Sequence, residues 1–179
     1  MKMDTVVTQP AIEADRICLR PLRKSDEGLI DVYAGDLRVA EMTTNIPHPL
    51  PPGATEAFVA RAMQDVREEH VWALDGSARS QAEVLGLISL RQLDRDQSEI
   101  GYWVAPAFWN AGYASEAVQA LVTANPLGNQ AIFAAVFQSN PASARVLTNA
   151  GFAYLGDAEA YCVARQATLP TWTYSRKLD

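Results

Sequence analysis

The stretch Ser98–Val122, SEIGYWVAPAFWNAGYASEAVQALV, constrains the fold of this chain more than any other, because its hydrophobic period changes inside it. Over Ser98–Val104 side chains alternate. Glu99, Gly101 and Trp103 fall on one face of a strand and Ile100, Tyr102 and Val104 on the other. From Ala114 the spacing becomes helical, with Ala114, Ala117, Val118, Leu121 and Val122 on one face. Between the two lies Trp109-Asn110-Ala111-Gly112-Tyr113-Ala114. Small residues let a backbone approach a ligand closely, and a helix N-terminus presents unpaired N–H groups at the positive end of its dipole. A strand, a small-residue turn and a helix in this order suit a phosphate or pyrophosphate.

The rest of the chain fits around that unit as one domain, residues 1–179 with a core over about 16–178. No apolar run reaches the roughly 18–20 residues that cross a bilayer, so no membrane partner is expected. The opening MKMDTVVTQPAIEAD lacks the layout of a signal peptide, which makes a cytoplasmic location the default expectation. Cys18 and Cys162 stand alone, without metal or redox spacing, so no metal is expected. A net charge of −6 argues against a nucleic-acid partner and mildly favours a cationic amine substrate. It also suits simple solubility.

Taken in order, residues 1–14 read as a loose leader and Arg16–Leu22 as a first strand. Ser25 reads as the N-cap of a helix burying Leu29, Ile30, Val32 and Tyr33 and ending at Gly35, with a short helical piece to Met42. Thr43–Gly53 carries four of the ten prolines and is a semi-rigid surface loop of the kind that shapes a cleft. Helix resumes at Ala54 and continues to about Glu68, with Phe58, Val59, Ala62, Met63 and Val66 inward. His70–Leu74, Val84–Leu90 and Ser98–Val104 form an antiparallel meander. After the helix to Ala124 come a strand buried on both faces, Ala131–Phe137, and a helix capped by Asn140 and closed by Gly151. Phe152–Leu155 and Thr171–Leu178 are the last strands, around an irregular loop over 156–170.

Two segments together resemble a known family. EIGYWV…WNAGYASEA is similar to the acetyl-coenzyme A signature of the GNAT N-acetyltransferases, and NPASARVLTNAGF to its companion helix. With the early LRPL strand and the proline-bearing loop, they most resemble the RimJ/RimL-type branch. The resemblance implies an α+β GNAT fold, a mixed and mostly antiparallel sheet of six or seven strands with helices on both faces. Its fourth and fifth strands splay apart around the pantetheine arm of acetyl-CoA. Carried over by position, main-chain groups of Tyr102, Trp103 and Val104 would meet the pantetheine amides and thioester. The backbone of Trp109, Asn110, Ala111, Gly112, Tyr113, Ala114 and Ser115 would hold the pyrophosphate. Asn140 would bond the pantetheine arm and Ser143 would lie near the sulfur. The branch usually has glycine where Asn110 stands, and many members have a tyrosine, the proton donor to the thiol, where Leu147 stands.

The implied activity is acetyl transfer from acetyl-CoA to a primary amine, a protein N-terminus or a small molecule, by direct attack in a ternary complex. Neither cysteine falls in the motifs to provide an acyl-enzyme route. Glu99 reads either as the base or as a structural carboxylate, Ser143 as a donor or a first-turn serine. Asn140 can cap its helix and contact coenzyme at once. Trp109 and Tyr113 read as packing aromatics more readily than as adenine platforms. His48 is a candidate substrate contact or a surface bystander. Two other functions fit the same motifs: a non-catalytic acyl-CoA sensor and an aminoglycoside-type antibiotic acetyltransferase. A homodimer stays open.

Overall fold

The computed structural model describes residues 9–178. Residues 1–8 of the expected leader lie outside the described residues. Eight strands form one sheet in the order β1-β2-β3-β4-β5-β6-β8-β7, against the six or seven expected. The extra strand is β1 (Ile12–Glu13), two residues of the supposed leader that pair antiparallel with β2 (Cys18–Pro21). Then follow α1 (Glu27–Ala34), α2 (Leu37–Ala40), α3 (Ala54–Ala62), β3 (Glu69–Asp75), β4 (Gly86–Leu93) and β5 (Gln97–Val104). The second half is α4 (Tyr113–Ala124), β6 (Ala131–Phe137), α5 (Pro141–Asn149), β7 (Ala153–Cys162) and β8 (Ala167–Lys177).

Strands β1 to β5 are antiparallel throughout, as are β6, β8 and β7. Among the described strands only β5 and β6 run parallel, because α4 carries the chain back across the sheet between them. The two faces bury different sets. Trp72, Ile88, Leu90, Ile100 and Ile132 pack with Val118, Leu121 and Leu147 of α4 and α5. Val71, Ala73 and Leu87 pack with Ile30 of α1 and Val59 of α3 on the opposite face. Helices thus cover both sides of the sheet.

Several local expectations are corrected. The first helix is entered through a 3₁₀ turn at Lys24–Asp26, and Ser25 does not cap it. Asp26 instead turns inward, 1% exposed, and takes two hydrogen bonds from Arg20 at 2.8 and 2.9 Å. Arg20 Nε also reaches Asp75 at 2.6 Å, closing a buried acid–base–acid triad at the root of β2. Leu29 and Val32, expected inward, are exposed. The third helix stops at Ala62, and Met63 and Val66 beyond it face solvent. The supposed loop over 156–170 is a long β7–β8 hairpin with a bulge near Gly156. In β6, Ala135 is exposed where a doubly buried strand was expected.

Candidate active site

The β5–β6 pairing covers only three residue pairs, Gln97–Ala131, Ser98–Ile132 and Glu99–Phe133. Beyond them each strand goes on, but β5 pairs only with β4 and β6 only with β8. The result is a V-shaped seam containing a cavity of about 570 Å³. The expected splay between the strands counted fourth and fifth is therefore present, here as β5 and β6.

Register decides which peptide groups line the seam. Ala105 N–H donates to Leu85 O at 2.9 Å. In an antiparallel ladder that sets the alternate residues Glu99, Gly101 and Trp103 as those whose peptides face β4. The peptides of Tyr102 and Val104 face the seam. The main chain of Trp103 is thus turned away from it, contrary to expectation. Its side chain instead lines the other face of the sheet, edge-on to Tyr33 with ring centroids 6.4 Å apart. The Val104 carbonyl is also engaged, accepting from Trp109 Nε1 at 2.6 Å. Trp109 is an anchor between the strand end and the loop, which leaves the Val104 N–H and the Tyr102 peptide for a ligand.

At the wide end of the seam the chain turns through Asn110 (φ 60°) and Gly112 (φ 82°) into α4. Asn110 tolerates the left-handed conformation because its short polar side chain costs little there. Among the described residues, none of the six amides from Asn110 to Ser115 has a hydrogen-bond acceptor, and the first helical bond is Glu116 N–H to Gly112 O at 3.0 Å. Six N–H groups without acceptors at the head of a 12-residue helix suit an anion.

Across the seam, Asn140 Oδ1 caps α5 by accepting from Ser143 N–H, leaving its Nδ2 hydrogens unused among the described residues. Ser143 Oγ lies 2.8 Å from the Tyr102 hydroxyl, which also reaches the Ser143 carbonyl at 3.1 Å. This pair joins β5 to α5 over the gap. Burial pushes the Tyr102 phenol up to about 12, against the opposing pull of its bond to Ser143. It is therefore a neutral hydroxyl at any physiological pH. Leu147 is fully buried in the core and takes no part in the cavity wall.

A second cavity of about 550 Å³ lies on the α1/α3 face, under the Thr43–Gly53 loop. Both cavities are lined by Thr43, Thr44, Glu99, Gly101, Tyr102 and Trp103, so they meet at β5. Its floor is the odd-numbered face of the sheet, running from Trp103 and Leu87 through Gly101 and Ser89 to Glu99 and Arg91. Glu99 stands at the junction, with one oxygen 3.1 Å from Arg91 Nη2 and the side chain 43% exposed. His48 is exposed and absent from both walls, although its loop neighbours Ile46, Pro47 and Leu50 line the second cavity. The loop is tied down from the β7–β8 hairpin, where Cys162 Sγ contacts Thr43 O at 3.2 Å and Val163 N–H donates to Thr44 O at 3.0 Å. Sequence reading missed the Tyr102 phenol, the two threonines and this tether. All are contacts between residues over 40 positions apart.

The arrangement, an anion cradle opening into a splayed parallel seam with a second cavity behind it, defines a class. The family model of the acetyltransferase (GNAT) domain matches residues 16–153, and the chain belongs to that family. Its class is that of acyltransferases that draw on acetyl-CoA. A Bacillus subtilis protein described as the uncharacterized N-acetyltransferase YoaA is 28% identical over 175 residues, covering 93% of this chain and 96% of that protein. Among solved structures, the microcin C7 self-immunity acetyltransferase MccE, solved with acetyl-CoA and AMP, superposes with a TM-score of 0.81 at 15% identity. The alignment covers 98% of this chain and all of that one. The ribosomal-protein-S5-alanine acetyltransferase from Vibrio fischeri gives 0.74 at 20% identity, over 96% of this chain and 98% of that one. Among the described residues no cluster of side chains is arranged for a metal, and no helix is long and apolar enough to cross a membrane.

Proposed function

We propose that this chain transfers the acetyl group of acetyl-CoA to a primary amine. The coenzyme lies in the β5–β6 seam and the amine arrives through the cavity under the Thr43–Gly53 loop. One observation carries the reading: the seam cavity and the cavity on the α1/α3 face meet at Glu99–Trp103, and at the outer end of the seam six amides have no acceptor among the described residues. The seam fits the coenzyme by its own chemistry. Gly112 has no side chain to crowd the cradle, and the Asn140 amide hydrogens, the Tyr102 peptide and the Val104 N–H are unspent along the seam among the described residues.

Acetyl-CoA supplies an acyl group activated as a thioester. The amides of Asn110–Ser115 would hold the pyrophosphate, and Asn140 and the Tyr102 peptide would orient the pantetheine arm. The Val104 N–H would supply a hydrogen bond to the carbonyl oxygen as it gains charge. Glu99, at the junction, would accept a proton through water from the incoming ammonium, and the neutral amine so formed would be the attacking group. The demand on it depends on the acceptor. An α-amine titrates at about 7.7–8.0 and a lysine at about 10.4, so lysine costs roughly 3–4 kcal/mol more to deprotonate at neutral pH. Because Glu99 is half-exposed and shared with Arg91, an α-amine or similarly weak base is the better match. A protein N-terminus and a small amine both meet that condition. The thiol-release assay tests the reading across amino acids, N-terminal peptides, polyamines and aminoglycosides. Turnover with an α-amine is expected. A chain that binds acetyl-CoA yet releases no thiol with any amine is a sensor, and this reading is then wrong.

A further inference from the structure

The cradle of free amides has a charged neighbour that the coenzyme signature does not include. Arg16, just before β2, is held against the first turn of α4 by three contacts. Its backbone N–H donates to Glu116 Oε2 at 3.0 Å and its Nε to Glu116 Oε1 at 2.8 Å. Its guanidinium carbon sits 4.4 Å from the centroid of the Tyr113 ring. The guanidinium also lies beside Gly112, where an added Cβ would come within 3.3 Å of Arg16 Nη2. Glu116 thus consumes only Nε and the main chain. The Nη1 and Nη2 hydrogens have no acceptor among the described residues, and the side chain stays 41% exposed.

An arginine kept only to anchor α4 would turn its fork onto the carboxylate. Here the fork is left open beside Gly112, at the residue where φ is positive and the backbone is bare. We propose that Arg16 is a phosphate ligand of the coenzyme, its free Nη groups adding a charge-assisted contact to the main-chain cradle of Asn110–Ser115. The inference rests on the coenzyme placement given above. Glu116 and Tyr113 orient the guanidinium before anything binds, so little side-chain entropy is lost on contact.

The phosphate is either the pyrophosphate or the 3′-phosphate, and calorimetry with CoA and 3′-dephospho-CoA separates them. In Arg16→Gln the Kd for CoA is expected to rise roughly tenfold, the scale of one charge-assisted contact at a half-exposed site. An equal rise with both ligands places the contact on the pyrophosphate. A rise with CoA alone places it on the 3′-phosphate. In either case the ratio of variant to wild-type Kd shrinks as NaCl goes from about 50 to 500 mM, because salt screens the charge. A ratio that ignores salt, or no rise at all, overturns the proposal and leaves Arg16 a structural anchor. Should Arg16→Gln lose its circular-dichroism melt, Arg16→Lys is measured instead. It keeps the charge but not the guanidinium geometry, so a rise in Kd below tenfold is expected, with a ratio to wild type that changes little with salt, and no rise at all is refutation. Wild-type protein that fails to bind CoA would overturn the coenzyme placement itself, a result distinct from unchanged binding in the variant.

Discussion

Removing the Tyr102 hydroxyl tests how the leaving thiol is handled. Tyr102→Phe deletes one oxygen that lies 2.8 Å from Ser143 Oγ and 3.1 Å from Ser143 O, and leaves the ring in place. The loss of one neutral hydrogen bond costs about 1 kcal/mol, a drop in Tm of roughly 2–4 °C for a chain of this length. The catalytic effect follows from the pKa. A thiol titrates near 8.5 and the buried phenol has been pushed up to about 12. Passing a proton from Tyr102 to a thiolate would be uphill by roughly 3.5 units, about 5 kcal/mol. In the proposed reaction Tyr102 would therefore act by hydrogen bonding to the developing negative charge and would keep its proton. One such bond to a charged group is worth about 1.5–3 kcal/mol, so kcat in the variant should fall roughly 10- to 150-fold. Stopped-flow thiol release between pH 6 and 9.5 is the assay, with the shape of the profile unchanged in the variant. A limb in the wild-type profile that vanishes in Tyr102→Phe would mean that the phenol does transfer its proton, and the reasoning fails. An unchanged kcat would remove Tyr102 from the chemistry altogether.

Other perturbations reach different parts of the frame. Gly112→Glu places a side chain at φ 82° against Arg16, and loss of measurable acetyl-CoA binding by calorimetry is expected with the fold intact. At Gly86, where a Cβ would lie 2.2 Å from Trp103 O, alanine must push β4 from β5, and a loss of about 3 kcal/mol is expected in urea titration. Arg20→Ala strips the buried Asp26 and Asp75 of their shared cation, which should cost about 3–5 kcal/mol by the same titration. Asp75 adds a pH signature. Burial pushes its carboxyl up, but the bonds from Ser77 and Arg20 outweigh that and hold it below the usual carboxylate range. A depressed pKa contributes stability that is present above about pH 4 and lost as pH falls through the folded value. Thermal melts between pH 5 and 2 should show that decline in the wild type and a shallower one in Arg20→Ala. The Tyr102 phenol gives the opposite sign at the alkaline end, where its stabilisation is intact below about pH 10 and is lost toward pH 12.

Much of this architecture was legible because period and burial agree. The alternation of Ser98–Val104, the helical face of Ala117–Val122 and the Asn140–Pro141 cap each have a strong local cause, and each element formed where expected. Only the start of β7 announced itself, in the expected strand Phe152–Leu155. Beyond it Gly156, Asp157 and Glu159 leave no alternation to mark a strand, and pairing with β8 makes one. Val32, Met63 and Val66 misled in the opposite way, since an apolar residue at the edge of a helical stripe is not bound to be buried. At the site, the turn from Trp109 to Gly112 into the helix was readable from its own chemistry. The orientation of Trp103 was not, because register against β4 settles it, and neither was the Tyr102–Ser143 pair, 41 residues apart. His48 was chosen for its chemistry alone, and the loop turns it outward.

With just three rungs joining β5 to β6, the sheet behaves as two plates, one of five strands and one of three, clasped mainly by α4 and α5. A molecule lodged between them would act as mortar as much as cargo. Amide protons of Gln97–Glu99 and Ala131–Phe133 should therefore exchange faster than those of other interior strands in the empty protein, and slow sharply once CoA bridges the plates.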